Sequence, residues 1–477
     1  MGGQSDHWYV RRVPEPRADL LARPLLIFGL SVGLVSRLIF AFSDDGLWWP
    51  DEYYQALEPA HRAVFGYGWQ AWEFVDGARH WTLPGLVAAV MKLADLLHLP
   101  LIPVVEVVSV LINAATIVAV YVLAQALGAS RWASALSATV FAFMGLAVFM
   151  SPRTMGEGWS ALPVTLAFAL LVGPRLTTRA LIGAGLLLSL AVGLRLQNGL
   201  FCLGALIMAF RLGTRRQGLT LLGVFGVGAV IYGLVDLVTW GSLFHSAITY
   251  IRFNLIEGRA SSFGTHPFWL YVTSLITAEG ATVIPLVLLS LLGMRRSRAL
   301  PLMIVAFLAV HSLIPHKELR FVFPILPLLA AHAAIGLELV KPQVQGAVLT
   351  LALLSLASLP WLTFGRLGIS DPPRDTPALD HGGPYNRLLQ RAGRLDDLCG
   401  LRIAGFPHWR TGGYAYFHKN APLYRAEKPS EGEGHFNYVI APRGTIAGPE
   451  LASDRDVALI HLDTPCTADP AYDWHLE

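Results

Sequence analysis

Charged side chains are scarce in this chain of 477 residues. Asp, Glu, Lys and Arg together make up 14% of it, whereas hydrophobic residues make up 54% and the mean hydropathy is +0.51. An ordinary soluble domain carries about 25% charged residues. The composition therefore excludes a soluble globular enzyme. Repeated long apolar runs joined by short basic loops predict an all-α polytopic membrane protein.

Several catalytic and binding signatures are also missing. The sequence contains no Gly-rich phosphate loop, no nucleophile elbow and no HExxH, which argues against an ATPase, an α/β-hydrolase and a zinc protease. Its net charge of +3 is small and its Arg residues are spread over many loops, which argues against nucleic-acid binding. Residues 1–24 lack the apolar segment and cleavage site of a signal peptide, so we expect them to form a cytoplasmic N-terminal tail.

The apolar runs predict about eleven transmembrane helices within residues 25–364. They cover residues 25–42, 101–127, 132–150, 159–172, 180–194, 200–210, 219–238, 268–292, 301–314, 321–340 and 344–364. The fifth and sixth runs are short. They are expected to form either two spans or a broken, re-entrant pair.

The distribution of cations predicts the orientation. Counted from a cytoplasmic N-terminus, the cytoplasmic loops receive many basic residues, which is the positive-inside pattern. These residues are Arg131, Arg175, Arg179, Arg211, Arg215, Arg216, Arg295, Arg296, Arg298 and Lys341. The same count puts loops 43–100, 151–158, 241–267 and 316–320 on the non-cytoplasmic face, together with residues 365–477.

Residues 365–477 have ordinary polarity and are numerous enough for a small domain. Three strand-like runs alternate with loops rich in Gly and Pro, which predicts a small extracytoplasmic α/β domain. The runs are 401–405, 438–441 and 457–462. Cys399 and Cys466 lie in this segment, and outside the cytoplasm they could form a disulfide. The sequence leaves open whether their separation allows one.

The loop 43–100 carries the first candidate functional residues. Pro50 suits a first helical position, and Asp51 and Glu52 suit the electropositive first turn that follows. The apolar and aromatic pattern up to Phe65 predicts an amphipathic helix at the membrane surface. On that helix the polar side chains recur at helical spacing and are predicted to share one face that could line a cleft. They are Asp51, Gln55, Glu58 and Arg62.

Aromatic residues and glycines follow this helix at high density. The segment 65–81 includes Trp72 and Glu73 and is typical of a carbohydrate-contacting loop. The alternative is an interfacial aromatic belt whose acidic residues cap helices.

A second polar segment, His316-Lys317-Glu318-Leu319-Arg320-Phe321, lies between two apolar spans. Its three potential cations on the non-cytoplasmic face run against the positive-inside bias. A phosphate group at that depth would explain them, because Lys and Arg neutralise phosphate and His can hydrogen-bond to it. The alternative is a basic cluster that snorkels to lipid headgroups.

Two weaker signals lie in neighbouring segments. Arg153 and Glu157 share a short non-cytoplasmic loop, where they could form a structural pair that caps the next helix or contact a substrate. Arg195 lies at the end of a short span. It is a candidate phosphate ligand, with helix packing or snorkelling as the alternative.

Together these segments resemble the Alg9-like mannosyltransferase family, glycosyltransferase family 22. The residues that resemble its first-loop signature are Pro50-Asp51-Glu52-Tyr53-Tyr54-Gln55, Glu58-Pro59-Ala60-His61, Phe65-Gly66-Tyr67-Gly68 and Trp72-Glu73, and His316-Lys317-Glu318 with Arg320-Phe321 resembles its HKExRF motif. The resemblance covers residues 25–340 in order. The segment beyond Gly365 carries no motif of the family.

The resemblance implies a GT-C fold, a bundle of membrane helices whose first outside loop holds an acidic catalytic residue. Such enzymes transfer a sugar, commonly mannose, from a polyprenyl phosphate to a hydroxyl of a lipid-linked or extracytoplasmic glycan, with inversion. They use no cofactor, and most need no bound metal. The chain departs from the family at Leu319, where a second acidic residue is frequent, and at Gly46-Leu47-Trp48-Trp49, where a His commonly precedes the Pro. These changes bear on donor identity more than on reaction type.

The residue chemistry suits this reaction independently. Glycosyl transfer needs a base for the acceptor hydroxyl and cations for the departing phosphate. We expect Asp51 to be the base, with Glu52 as the competing choice, because adjacent helical residues point about 100° apart. Alternatively, both could hold a metal that neutralises the phosphate. The expected phosphate ligands are His316, Lys317, Arg320 and Arg195, and the expected substrate or acceptor contacts are Gln55, Glu58, Trp72, Glu73, Arg153 and Glu157.

A transporter or flippase of lipid-linked sugars is the rival function, and an inactive glycan-binding scaffold is a third. Transporter sites lie near the midplane between internal repeats. The sequence shows neither an inverted repeat nor charges in paired spans, which favours the enzyme. The expected location is a multi-pass position in a bacterial inner membrane or the endoplasmic reticulum, with the active site on the non-cytoplasmic side among membrane lipids.

Overall fold

The computed structural model describes residues 16–173, 176–369, 372–428 and 430–476. The first fifteen residues of the predicted tail, and Arg175 among the predicted cytoplasmic cations, lie outside the described residues. The described chain divides into two compact units. We call residues 16–39 and 108–376 the helical unit, and residues 40–107 and 377–476 the α/β unit.

Apolar helices build the helical unit. In chain order, the helices wholly or mainly within it are Pro16–Ala41, Leu101–Ala126, Arg131–Phe143, Gly145–Phe149, Gly156–Leu171, Thr178–Leu194, Gly199–Leu212, Arg215–Trp240, His245–Ile251, Leu270–Gly293, Ala299–Leu313, Ile325–Leu337 and Pro342–Ala357. Each apolar run predicted from the sequence falls on one of these helices, or on the two that Met144 separates.

Four helices in the described chain are long and apolar enough to cross a membrane. They are Leu20–Ala41, Leu101–Ala126, Arg215–Trp240 and Leu270–Gly293, and six shorter helices are also apolar. Val230, Ile231 and Val238 of one long helix are exposed. Large apolar surfaces of this kind are unfavourable in water and expected against lipid, so the chain is a membrane protein. The number of about eleven crossings stays a prediction.

Local sequence sets where these helices begin and end. Thr214 and Gln217 form a capping box at the start of Arg215–Trp240, and Gly241 ends that helix with a φ of 78°. Ser130 caps Arg131–Phe143 by accepting a hydrogen bond from the Ala133 amide at 3.3 Å. The helix ends are thus satisfied by side chains that the sequence places beside them.

One apolar run is broken at Met144, which adopts an extended conformation with φ of −62° and ψ of 120°. At the end of the preceding helix, the buried Arg37 guanidinium donates to the Ala142 carbonyl at 2.8 Å. At the start of the next helix, the buried Glu279 carboxylate accepts from the Leu146 amide at 2.7 Å. Each charge complements the helix end that it meets.

The α/β unit combines short helices with strands. Its helices are Pro50–Glu52, Glu58–Phe65, Trp72–Val75, Thr82–Leu96, Gly383–Ala392 and Gly413–Phe417, with a π turn at Tyr53–Leu57. Its strands are β1 (Gln70–Ala71), β2 (Leu401–Ile403), β3 (Leu423–Tyr424), β4 (Tyr438–Pro442), β5 (Glu450–Asp454), β6 (Val457–His461) and β7 (His475–Leu476). The helix Thr82–Leu96 lies in a segment for which the sequence predicted only loop.

Five strands form one sheet in the order β3-β2-β4-β6-β5. Strand β2 runs parallel to β3 and β4, whereas β6 is antiparallel to β4 and β5. The three strand-like runs predicted from the sequence are the strands β2, β4 and β6. Buried apolar residues of β4 and β6 form a core on this sheet, and β1 pairs with β7. Cys399 and Cys466, whose pairing the sequence left open, form a disulfide.

Candidate active site

The predicted surface helix is present and contains a π turn. Pro50 occupies its first position, and the chain stays helical through Tyr53–Leu57 and Glu58–Phe65 until Gly66, whose φ is 84°. A π turn adds one residue to the turn and rotates the side chains after it relative to those before it. Such turns are frequent at functional sites. Polar residues before and after this turn accordingly have different partners.

Asp51 and Gln55 belong to a cluster with Glu73 and Arg79. The Gln55 side chain donates to Glu73 Oε1 at 2.8 Å, and Arg79 Nη2 lies 3.7 Å from the same oxygen. Burial raises the pKa of Glu73, the Arg79 charge opposes that shift, and the Asp51 charge adds to it. Asp51 is partly exposed, whereas Glu52 is buried. Of the two candidate bases, Asp51 is therefore the more accessible and interacts with Glu73.

Glu58 lies after the π turn and is fully buried. Its carboxyl group accepts a hydrogen bond from the Ala415 amide at 3.1 Å. A Cβ atom at Gly413, whose φ is 49°, would come within 2.1 Å of Glu58 Oε1. Position 413 therefore requires glycine. Burial raises the pKa of Glu58 to about 8. Glu58 thus does not continue the polar stripe of Asp51 and Gln55 that helical spacing predicted, because the π turn intervenes.

The aromatic segment after this helix walls a cavity of about 260 Å³. The lining residues are Pro59, Arg62, Ala63, Trp69, Gln70, Ala71, Phe74 and Trp81. Trp72, predicted as a substrate contact, starts the helix Trp72–Val75 and is partly buried. Aromatic walls with a few polar groups are typical of small-molecule sites.

A separate set of predicted residues meets in the helical unit around Glu157. Glu157 lies in the first turn of Gly156–Leu171, and Arg195 follows the end of Thr178–Leu194. Glu157 Oε1 is 3.0 Å from Arg195 Nη2 and 3.9 Å from Arg320 Nη1. All three side chains are at most 9% exposed. The sequence proposed Glu157 as a helix-capping or substrate-contacting residue, and the structure makes it the centre of an arginine pair.

Arg320 also binds Glu318, which belongs to the same short motif. Its guanidinium donates to the two Glu318 oxygens at 2.8 and 3.1 Å, and His316 Nε2 lies 3.0 Å from Glu318 Oε1. Burial alone would raise the pKa of Glu318, but Arg320 and His316 outweigh it and hold that pKa well below its usual range. Burial disfavours the imidazolium of His316, yet Glu318 outweighs this effect and raises the pKa of His316.

Phe321 and Lys317 complete the motif. The guanidinium carbons of Arg195 and Arg320 lie 4.8 and 5.1 Å from the Phe321 ring centroid, so the ring packs against both cations. Lys317 is buried, and its Nζ donates to the carbonyls of His266 and Pro315 at 2.9 and 3.4 Å. Burial lowers the pKa of Lys317.

The predicted site residues therefore fall into two groups. Asp51, Glu52, Gln55, Glu58, Trp72 and Glu73 belong to the α/β unit, and Arg153, Glu157, Arg195, His316, Lys317 and Arg320 belong to the helical unit. Arg153 is buried with its guanidinium 4.3 Å from the centroid of the Phe149 ring. In the described residues, no three His, Cys, Asp or Glu side chains are grouped as ligands for a metal ion.

Sequence reasoning gave no role to Glu318 or Arg79, although both hold predicted site residues in place. A signal for Glu318 was available, since a carboxylate between cations in a membrane-flanking motif is expected to pair with them. Arg79 had no such signal, because its contact with Glu73 depends on how the loop folds.

Solved structures share this fold. ArnT from Cupriavidus metallidurans bound to undecaprenyl phosphate aligns with a TM-score of 0.58 at 11% identity, covering 92% of this chain and 98% of that chain. The oligosaccharyltransferase AglB from Archaeoglobus fulgidus, in complex with an inhibitory peptide and a dolichol-phosphate, aligns with a TM-score of 0.55 at 14% identity, covering 88% of this chain and 69% of that chain. The protein thus has the GT-C fold of these membrane enzymes.

Within that fold class, residues 29–367 match the model of the Alg9-like mannosyltransferase family, and the chain belongs to this family. It is 29% identical over 340 residues to the GPI alpha-1,2-mannosyltransferase 3 of Danio rerio, covering 68% of this chain and 62% of that relative. It is 26% identical over 357 residues to the Homo sapiens protein of the same name, covering 71% and 62%. The chain spans less than two thirds of these relatives' own length.

Proposed function

We propose that this protein is an inverting mannosyltransferase of the membrane. It transfers mannose from a polyprenyl-phosphate donor to a hydroxyl of a lipid-linked or extracytoplasmic glycan, and Asp51 is the general base. The family supports a mannosyl transfer, and the names of the relatives make an α-1,2 linkage the first to test. The site and residues 365–477 face the non-cytoplasmic side.

The excess of buried positive charge in the helical unit carries this proposal. Two carboxylates, Glu157 and Glu318, pair there with Arg195, Arg320 and His316, and Lys317 is buried in the same motif. Three cationic side chains, Arg195, Arg320 and Lys317, thus accompany two carboxylates. Buried charges are costly unless they are compensated, so this surplus is suited to a phosphate group. The donor's phosphodiester supplies that negative charge.

Asp51 supplies the complementary function. In the reaction, the acceptor oxygen forms a bond to the anomeric carbon, and the bond between that carbon and the phosphate oxygen breaks. Asp51 takes the hydroxyl proton, and the bonding electron pair leaves with the phosphate, where cations stabilise it. The Asp51 charge acts on the buried Glu73 carboxyl group, to which Gln55 donates a hydrogen bond. The aromatic cavity lined by Trp69, Phe74 and Trp81 has room for one sugar ring of the acceptor.

The decisive experiment uses the full chain in lipid nanodiscs with polyprenyl-phosphate mannose as donor. Asp51→Asn should abolish transfer while the variant still binds the donor, because the substitution removes the base and retains the shape. Glu52→Gln tests the competing base. Asp95→Asn is the matched control, since Asp95 is exposed on the same unit and pairs with Lys92.

Full transfer by Asp51→Asn would remove Asp51 from the mechanism. A protein that never transfers mannose but moves the lipid-linked sugar across the bilayer, equally well in the variant, would establish the transporter instead.

A further inference from the structure

Two neighbouring atoms are among the buried polar atoms of the helical unit that have no hydrogen-bond partner among the described residues. They are the hydroxyl oxygen of Tyr271 and Nε2 of His311. Both side chains are at most 3% exposed, and their ring centroids lie 6.4 Å apart. Buried polar groups are almost always satisfied, and leaving one unpaired costs free energy. These two side chains lie close enough together for one ligand from outside the chain to pair with both.

Both atoms lie beside the arginine–glutamate network. Tyr271 is in the first turn of Leu270–Gly293, and His311 is in the last turn of Ala299–Leu313. Arg195 and Glu318 are among the charged groups that act on the Tyr271 hydroxyl, and Arg195 and Glu157 act on His311. The two unpaired atoms are therefore neighbours of the residues proposed to bind phosphate.

The hydrogen-bonding character of each atom follows from its surroundings. The Glu318 backbone amide faces the Tyr271 oxygen but can only donate, so the hydroxyl hydrogen lacks an acceptor. His311 Nδ1 lies 2.9 Å from the Phe307 carbonyl, which can only accept. Nδ1 must therefore carry the hydrogen, and in the neutral ring Nε2 is a bare acceptor. Tyr271 offers a donor to the site, and His311 offers an acceptor.

We propose that Tyr271 and His311 bind the two sides of the sugar–phosphate junction of the donor lipid, an inference that rests on the function proposed above. The Tyr271 hydroxyl donates to an oxygen of the phosphate. His311 Nε2 accepts from a sugar hydroxyl next to the anomeric carbon. The sugar hydroxyls are the only hydrogen-bond donors of a polyprenyl-phosphate hexose, because its lipid tail has none and its phosphodiester is ionised.

The test compares two probes, undecaprenyl phosphate and polyprenyl-phosphate mannose, binding to the protein in nanodiscs. Tyr271→Phe removes only the hydroxyl and should weaken binding of both lipids about 10-fold, since a hydrogen bond to a charged group is worth at least that factor. His311→Phe retains the stacking on Phe307, whose ring centroid is 4.1 Å away. It should weaken binding of the mannose-bearing lipid alone.

Melting temperatures separate this role from a structural one. Removing an unpaired buried hydroxyl should leave the melting temperature of Tyr271→Phe equal to or above that of the wild type. Tyr232→Phe is the matched control, because the Tyr232 hydroxyl lies 2.9 Å from Ser246 Oγ. This control should melt earlier and bind both lipids normally.

Equal binding by wild type and Tyr271→Phe, or equal loss of both lipids in His311→Phe, would overturn the inference while leaving the proposed function standing. A wild-type protein that binds neither lipid would instead overturn the proposed function, and the inference with it.

Discussion

Arg195 and Glu157 join the end of one apolar helix to the start of another through an ion pair of 3.0 Å. Arg195 follows a helix C-terminus and Glu157 lies in a helix first turn, so each charge also complements the dipole of its own helix. Gly156 makes the approach possible, because a Cβ atom there would lie 2.4 Å from the Leu194 carbonyl oxygen. The position of Arg195 is thus set by backbone contact as well as by charge.

Replacing Glu157 by Gln should destabilise the protein strongly. The change leaves Arg195 and Arg320 buried beside a neutral group, and breaking a buried ion pair costs about 3–5 kcal/mol. Thermal unfolding in nanodiscs measures the effect. Glu257→Gln is the control, since Glu257 pairs with Arg252, which is 71% exposed, and such surface pairs contribute about 0–1 kcal/mol. Equal melting temperatures for the two variants would contradict the prediction.

Replacing Gly156 by Ala should lower stability by about 1–3 kcal/mol, because the added methyl group overlaps the Leu194 carbonyl and forces the two helix ends apart. Binding of polyprenyl phosphate should weaken with it. Gly226→Ala should act in the opposite direction. Gly226 lies in the helix Arg215–Trp240 with open space at its Cβ position, and Ala is the better helix former by about 1 kcal/mol. A loss of stability in Gly226→Ala equal to that in Gly156→Ala would show that the close approach is unimportant.

Glu58 should make the stability of the protein depend on pH. Burial raises its pKa from 4.5 to about 8, so between these values the folded state binds more protons than the unfolded state. The stability from neutral Glu58 is complete below about pH 4.5, declines as the pH rises, and is lost once the pH passes about 8. Glu58→Gln keeps a neutral group of the same shape and should remove this decline. Melting temperatures measured from pH 5 to 9 test it, and parallel profiles for the variant and the wild type would refute it.

Breaking the disulfide should destabilise the protein. Cys399 and Cys466 are 67 residues apart in sequence, and a cross-link of this kind contributes about 2–4 kcal/mol. Cys399→Ser should therefore melt earlier, and non-reducing electrophoresis should show the lost bond. Cys202→Ala is the control, since Cys202 is a free thiol. A bond absent from wild-type protein in its native membrane would contradict the proposed non-cytoplasmic position, because disulfides persist in oxidising compartments.

The apolar helices could be predicted from the sequence because a helix in lipid requires a long run of apolar residues. The helix Thr82–Leu96 did not stand out, since Pro84, Gly85, Lys92 and Asp95 interrupt its apolar run. The π turn at Tyr53–Leu57 depends on a shift in backbone hydrogen bonds and has no signature in residue types. For that reason the partners of Glu58 could not be predicted.

The candidate site could be predicted in its residue types but not in its pairings. The charge of Arg195, Glu157 and Arg320 near a membrane boundary predicts that each belongs to the site, yet the three residues lie far apart in sequence. Only the packing of the helices shows that the Glu157 carboxylate lies beside both arginines. Tyr271 and His311 lie in apolar runs, where a single polar residue resembles an ordinary helix residue until its lack of a partner becomes visible.

The interruption at Met144 bears on the rival transporter hypothesis. In transporters, the helix termini at such a break are free to bind the substrate or the coupling ions during alternating access. Here Arg37 and Glu279 already fill both ends from within the chain. A transported substrate would have to displace these two buried charged side chains in order to bind at the break. The break at Met144 is therefore suited to a part of the protein that keeps one conformation.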